Sequence, residues 1–153
     1  MLPTIDAGRA AERARDGGRP LLVLDRGQPL FACWIFTHRA PMIAARGRWL
    51  ALPEQVACLE DSVAASAARG RGIGPLTWTA LAQRLAGEGK SAMITKVATG
   101  NAPSRRAVVK AGFREVAVMR LRRCGILYLV DVEVLDPDSL GGALRKGLKR
   151  AGF

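Results

Sequence analysis

The segment from Val56 to Val97 constrains the fold more than any other part of the chain, because it reads as strand, glycine loop, helix and strand in succession. Val56 to Val63 is a strand-like run, and Arg69-Gly70-Arg71-Gly72-Ile73-Gly74 then sets three glycines and two arginines before a helix-like segment starting at Pro75. In that helix Trp78, Leu81, Ala82 and Leu85 fall on one face, and Gly87 and Gly89 mark its end. Ala92 to Val97 is apolar on both alternating faces, as a central strand would be. Two such strands joined by a helix form a βαβ crossover. The loop suits an anion such as a phosphate: glycines let the backbone approach closely, and the first helical turn offers N–H groups with no intrahelical partner at the positive end of the helix dipole.

The rest of the chain supplies antiparallel strands and further helices. Ala7 to Asp16 is Ala- and Arg-rich and is stopped by Gly17-Gly18, which predicts a first helix. Leu21 to Leu24 and Leu30 to Thr37 flank Asp25-Arg26-Gly27-Gln28-Pro29, a hairpin signal. Trp49 to Leu52 and Val56 to Val63 are the next predicted strands, separated by Pro53-Glu54. A short helix is expected from about Pro103 to Ala111, capped by Asn101 and stopped by Gly112. Phe113 to Leu121 and Ile126 to Val134 read as strands joined at Arg122 to Gly125, and a last helix is expected from Asp138 or Ser139. The pattern is mixed α/β, and the length of 153 residues fits one domain, residues 1–153.

Composition excludes several classes. With 49% hydrophobic and 24% charged residues the chain is that of a folded protein. No apolar run approaches the roughly 20 residues of a membrane-spanning helix, so no integral membrane association is expected. Asp6, Arg9, Glu12, Arg13 and Arg15 stand where a signal peptide needs an apolar core. Cys33, Cys58 and Cys124 are widely spaced and form no C-x-x-C, which points to neither a disulfide framework nor a metal site and fits a cytoplasmic protein. The net charge of +11 attracts anions, but the basic residues are dispersed and aromatics are few, so nucleic acid is not the expected partner. Gly89-Lys90-Ser91 resembles the end of a Walker A loop, yet Arg84 holds the required first glycine position. Pro75 likewise fills the third glycine of a dinucleotide fingerprint read from Gly70.

A second motif follows the crossover: Asn101-Ala102-Pro103-Ser104, then Lys110-Ala111-Gly112-Phe113. Together with Arg69, Gly72 and Gly74, which match [QR]-x-x-G-x-[GA], it resembles the GNAT superfamily of acyl-CoA-dependent N-acyltransferases. The resemblance covers about the second half of the chain. It implies an α/β fold of α+β type: a mixed, mostly antiparallel central sheet flanked by helices, with a βαβ core that binds acetyl-CoA. It also implies direct transfer of an acetyl group to an amine acceptor, without a metal.

By that resemblance, Arg69, Arg71, Gly72, Ile73, Gly74 and Thr77 would take the cofactor's pyrophosphate, with Pro75 lacking a donor. Ser62 and Val63 would border its pantetheine arm, while Asn101, Ser104, Arg105 and Lys110 would lie toward its far end and nucleotide phosphates. The usual position of the catalytic Glu holds Cys58, so the base candidates are Glu60, which shares the strand face of Cys58, and then Asp61, which faces away unless a bulge intervenes. The usual Tyr acid position holds Val108, and Tyr128 is the only tyrosine. A non-catalytic module that binds CoA or an acidic partner is the rival reading. The sequence carries no mark of oligomeric state, and a homodimer stays open.

Overall fold

The computed structural model describes residues 7–42, 48–124, 127–135, 140–142 and 144–145. In chain order its elements are α1 (Ala7–Arg15), β1 (Arg19–Asp25), β2 (Gln28–Phe36), β3 (Arg39–Met42), β4 (Arg48–Ala51) and β5 (Val56–Ala64). They continue with α2 (Ile73–Gly87), β6 (Ala92–Thr95), α3 (Ala102–Lys110), β7 (Ala117–Cys124) and β8 (Leu127–Val134). The described residues fall into two compact units, one within the ranges Met1–Thr37 and Gln55–Phe113 and the other within His38–Glu54 and Arg114–Phe153.

In the first unit, α1 ends as its glycines predict. Gly17 takes φ 86°, Gly18 N–H donates to Arg13 O at 2.9 Å and Gly17 N–H to Ala14 O at 3.0 Å, which satisfies carbonyls of the last turn. β1 and β2 form an antiparallel hairpin whose two-residue turn, Arg26-Gly27, has φ 48° and 79°, positive at both positions as a tight hairpin needs. β5 pairs antiparallel with β2 and β6 parallel with β5, giving the order β1-β2-β5-β6. The sheet is thus mixed and mainly antiparallel, and α2 supplies the crossover between its two parallel strands.

One sheet face carries Phe31, Cys33 and Ile35 of β2 with Ala57 and Leu59 of β5, and these pack against Trp78, Leu81 and Leu85 of α2. Ala82 was expected on the same helix face, but it is exposed. Ala107, Val108 and Ala111 from α3, and Phe113 beyond it, pack against the same cluster. Trp78 is held edge-on between Phe31 and Phe113, with ring centroids 6.0 and 6.2 Å away. Phe113 was expected to open a strand. Instead its N–H donates to Val108 O at 3.1 Å and Gly112 turns with φ 87°, so Phe113 closes α3 and β7 starts at Ala117.

β6 stops at Thr95 rather than Val97, and among the described residues it has β5 as its one strand neighbour, where a central strand was expected. In the second unit β3 pairs with β4 in an antiparallel ladder that sequence reading missed, because Pro41 interrupts the strand signal. Arg39 lies over the Trp49 ring at 4.3 Å. β7 and β8 pair antiparallel from Ala117↔Val134 to Cys124↔Leu127. Residues 140–142 and 144–145 are helical, within the last predicted helix; its expected start at Asp138 or Ser139 lies outside the described residues.

Candidate active site

From β5 the chain passes through a short 3-10 turn, Ser66–Ala68, into the glycine loop. Arg69 N–H donates to Ser66 O at 3.3 Å, and the first bond of α2 runs from Leu76 N–H to Gly72 O at 3.2 Å. Between them, the N–H groups of Gly70, Arg71, Gly72, Ile73 and Gly74 have no backbone acceptor among the described residues. Gly70 and Gly72 take φ 74° and 75°, a left-handed conformation that costs other residues about 1–2 kcal/mol. Gly72 is the N-cap of α2, so Pro75 is its third residue and ends the row of donors. Beneath Gly74 lie the rings of Phe31 and Trp78; a Cβ there would stand 3.5 Å from Phe31 Cε2. Five unpaired donors at the positive end of a 15-residue helix, with exposed Arg69 and Arg71 beside them, make an anion cradle.

The strand leading into this loop is open along one edge. β5 and β6 pair in parallel only from Val56↔Ala92 to Leu59↔Thr95, and the Thr95 hydroxyl closes that ladder on Leu59 O at 3.0 Å. β5 continues to Ala64 without β6, leaving backbone groups from Glu60 onward with no strand on that side among the described residues. An extended ligand with amide groups would pair there as an added strand.

A β-bulge lies on the same stretch. Between the pairs Trp34↔Glu60 and Ala32↔Val63, β2 has the single residue Cys33 while β5 has Asp61 and Ser62. Asp61 takes φ 49° there. Its carboxylate Oδ2 accepts from Nε of Arg13 on α1 at 2.9 Å, and Nη2 of the same guanidinium lies 2.9 Å from that oxygen in an ion pair.

Glu60 shares a sheet face with Cys58, as alternation predicts, and is 6% exposed. Its Oε1 accepts from the Lys96 ammonium and from Cys58 Sγ, the latter at 3.1 Å, while Lys96 Nζ lies 3.8 Å from the same sulfur. Burial pushes the Cys58 thiol well above its ordinary range, with the Lys96 charge opposing and Glu60 reinforcing the shift. Lys96 and Arg13 are the residues sequence reading missed. Lys96 directly follows the β6 partner of Leu59, so parallel register sets it beside Glu60, but that register is not visible in one sequence.

The second motif forms α3. Asn101 caps it, its Oδ1 accepting the Ser104 N–H at 3.1 Å, and Arg105 and Lys110 are exposed along the helix. Val108 is partly buried against the core. Thr77 is half-buried on α2, Ser62 lies in the bulge and Val63 follows it. The described part of the first unit thus holds every residue expected to bind the cofactor, while Glu60 and Asp61 point to different cations. Tyr128 lies on β8 with its side chain outside the described residues. Among the described residues no group of His, Cys, Asp or Glu is placed to hold a metal, and no helix is long and apolar enough to cross a membrane.

Solved structures share this fold. A ribosomal-protein-alanine N-acetyltransferase from Brucella melitensis aligns over 82% of this chain and 74% of its own, at 22% identity and a TM-score of 0.53. An N-acetyltransferase from Staphylococcus aureus Mu50 aligns over 82% and 70%, at 13% identity and a TM-score of 0.54. The aminoglycoside acetyltransferase AAC(6')-Ib, in complex with coenzyme A, aligns over 92% and 73%, at 18% identity and a TM-score of 0.52. No curated protein matches the sequence. Residues 5–113, which take in the crossover, the glycine loop and α3, match the acetyltransferase (GNAT) family, and the chain belongs to that family.

Proposed function

We propose that this chain is an N-acetyltransferase that moves the acetyl group of acetyl-CoA directly onto a primary amine, with residues 1–153 working as one domain. The observation that carries the reading is the conjunction of the unpaired N–H row at Gly70 to Gly74 with the open edge of β5 beyond Leu59. Acetyl-CoA combines a pyrophosphate with an extended amide-bearing arm, and the loop suits the first as the strand edge suits the second. When bound it supplies an activated acyl group. Arg69, Arg71, Gly72, Ile73, Gly74 and Thr77 would hold the pyrophosphate, and Ser62 and Val63 would border the arm. Asn101, Ser104, Arg105 and Lys110 would meet its far end and nucleotide phosphates.

Attack on an acyl carbon requires an amine that has lost its proton. Glu60 stands where the two parallel strands part and is the candidate proton acceptor, directly or through one water, with Cys58 and Lys96 orienting its carboxylate. Asp61 is second by position, and its carboxylate is engaged by Arg13. The CoA complex of the structurally similar aminoglycoside acetyltransferase supports the choice of donor. The buried free thiols Cys33 and Cys58 fit a reducing cytoplasm.

The engagement of Glu60 by Lys96 favours one second reading, a module that binds CoA without turnover. Calorimetric titration with acetyl-CoA tests the donor site: folded Gly72→Trp and Gly74→Trp variants should lose binding, and unchanged affinity refutes the assignment. Release of free CoA against a panel of amines, amino acids and peptide N-termini tests catalysis. Release that depends on an acceptor establishes transfer, whereas binding without it leaves the module.

A further inference from the structure

We propose that Arg13 is a positioning residue for the donor site, acting through Asp61 to hold the bulge in β5; this rests on the donor-site reading above. Left-handed backbone at an L-residue with a Cβ is disfavoured, and Asp61 adopts it at φ 49° in the middle of a strand. Its carboxylate is fixed by a charge-assisted bond from Arg13 Nε at 2.9 Å and by the ion pair with Nη2 of the same guanidinium, also at 2.9 Å. That guanidinium arrives on a braced element. Arg13 O accepts the Gly18 N–H that closes α1, and Gly18 lies so close to Phe36 that a Cβ on it would meet the ring at 2.8 Å. The end of α1 is therefore pressed to the sheet, and Arg13 faces the bulge from it.

The bulge decides what the end of β5 presents. Glu60 lies opposite Trp34, and without an extra residue Ser62 and Ala64 would share its face. With it, Val63 lies opposite Ala32, and Ala64 turns to the other face, against the core cluster of Phe31 and Trp78. Ala65 N–H then reaches Leu30 O at 2.8 Å, and buried Ala65 and Ala68 lead the chain into Arg69. Asp61 thus sets both the face of Glu60 relative to the strand end and the entry angle of the anion loop. Arg13 holds Asp61 in the conformation that does so.

The test is a cycle with Asp61→Gly, because glycine takes left-handed backbone without steric cost and has no need of Arg13. Arg13→Gln alone should weaken acetyl-CoA binding roughly tenfold and speed amide exchange at Ala65. In the Asp61→Gly background the same substitution should change affinity by less than about threefold, with exchange at Ala65 restored. A loss of affinity that persists in that background, or wild-type affinity and exchange in Arg13→Gln, overturns the proposal while leaving the donor site intact. Absence of acetyl-CoA binding by the wild-type protein overturns the donor-site reading instead, and the exchange rates at Ala65 then decide by themselves whether Arg13 sets the bulge.

Discussion

Replacing Lys96 with methionine should destabilise the protein more than its partly exposed position suggests. The Glu60 side chain keeps 5% of its surface and that of Lys96 26%, so the substitution strands a carboxylate that water barely reaches. Removing one partner of a fully buried ion pair costs about 3–5 kcal/mol. Water approaches this pair from the lysine side, which lowers the expectation to about 2–3 kcal/mol. Glu60→Gln in the Lys96→Met background removes the charge and leaves an amide within reach of Cys58, so the double variant should recover about 1 kcal/mol. Equilibrium urea unfolding at neutral pH, followed by tryptophan fluorescence and circular dichroism, reads both quantities provided the m-value is unchanged. A Lys96→Met variant within about 0.5 kcal/mol of wild type, or strict additivity with Glu60→Gln, would refute the view that the pair is buried and mutually dependent.

Further outcomes follow from the same geometry. Gly72→Ala, forced into left-handed backbone, should cost about 1 kcal/mol and weaken acetyl-CoA binding, whereas Gly74→Ala, whose Cβ meets Phe31 at 3.5 Å, should be as stable as wild type or more so; equal losses of thermal stability would contradict this. Glu88 accepts from Arg19 at 2.8 Å and from Arg84 at 3.3 Å, and the bond from Arg19 above all holds its carboxyl below the ordinary range. Its folded value lies below the unfolded one, so its contribution is present above the unfolded range and fades as pH falls through the folded value. The stability gap between wild type and Glu88→Gln should accordingly narrow as the solution is acidified below the ordinary carboxyl range, and a gap that stays constant through acid titration counts against the pairing. Burial pushes the Cys33 thiol up to about 12 and raises that of Cys58 as well. Mass-mapped labelling with a disulfide reagent at neutral pH should leave both untouched in the native protein, and rapid native labelling would show that they are accessible.

What could be read from the sequence was what neighbouring residues encode. Gly17 stops α1, Arg26-Gly27 turns the first hairpin, and Asn101 and Gly112 bound α3, each through backbone conformations or caps that involve a few adjacent residues. The anion loop was legible for the same reason, since Gly70 and Gly72 are glycines where left-handed backbone is needed. β3 was hidden by Pro41, and the late start of β7 by the tie between Phe113 and Val108, both local signals overridden by packing and pairing.

The sequence by itself determined the family, the crossover and the glycine loop that is proposed to take a CoA pyrophosphate, because glycine placement and hydrophobic period are local properties of the chain. Only the tertiary structure decided how Glu60 and Asp61 differ. Arg13 lies 48 residues from Asp61 and Lys96 lies 36 from Glu60, and both pairings depend on strand register and on the one extra residue of the bulge. A shift of one residue in a strand exchanges its two faces, so which carboxylate meets which cation is settled when β2, β5 and β6 align.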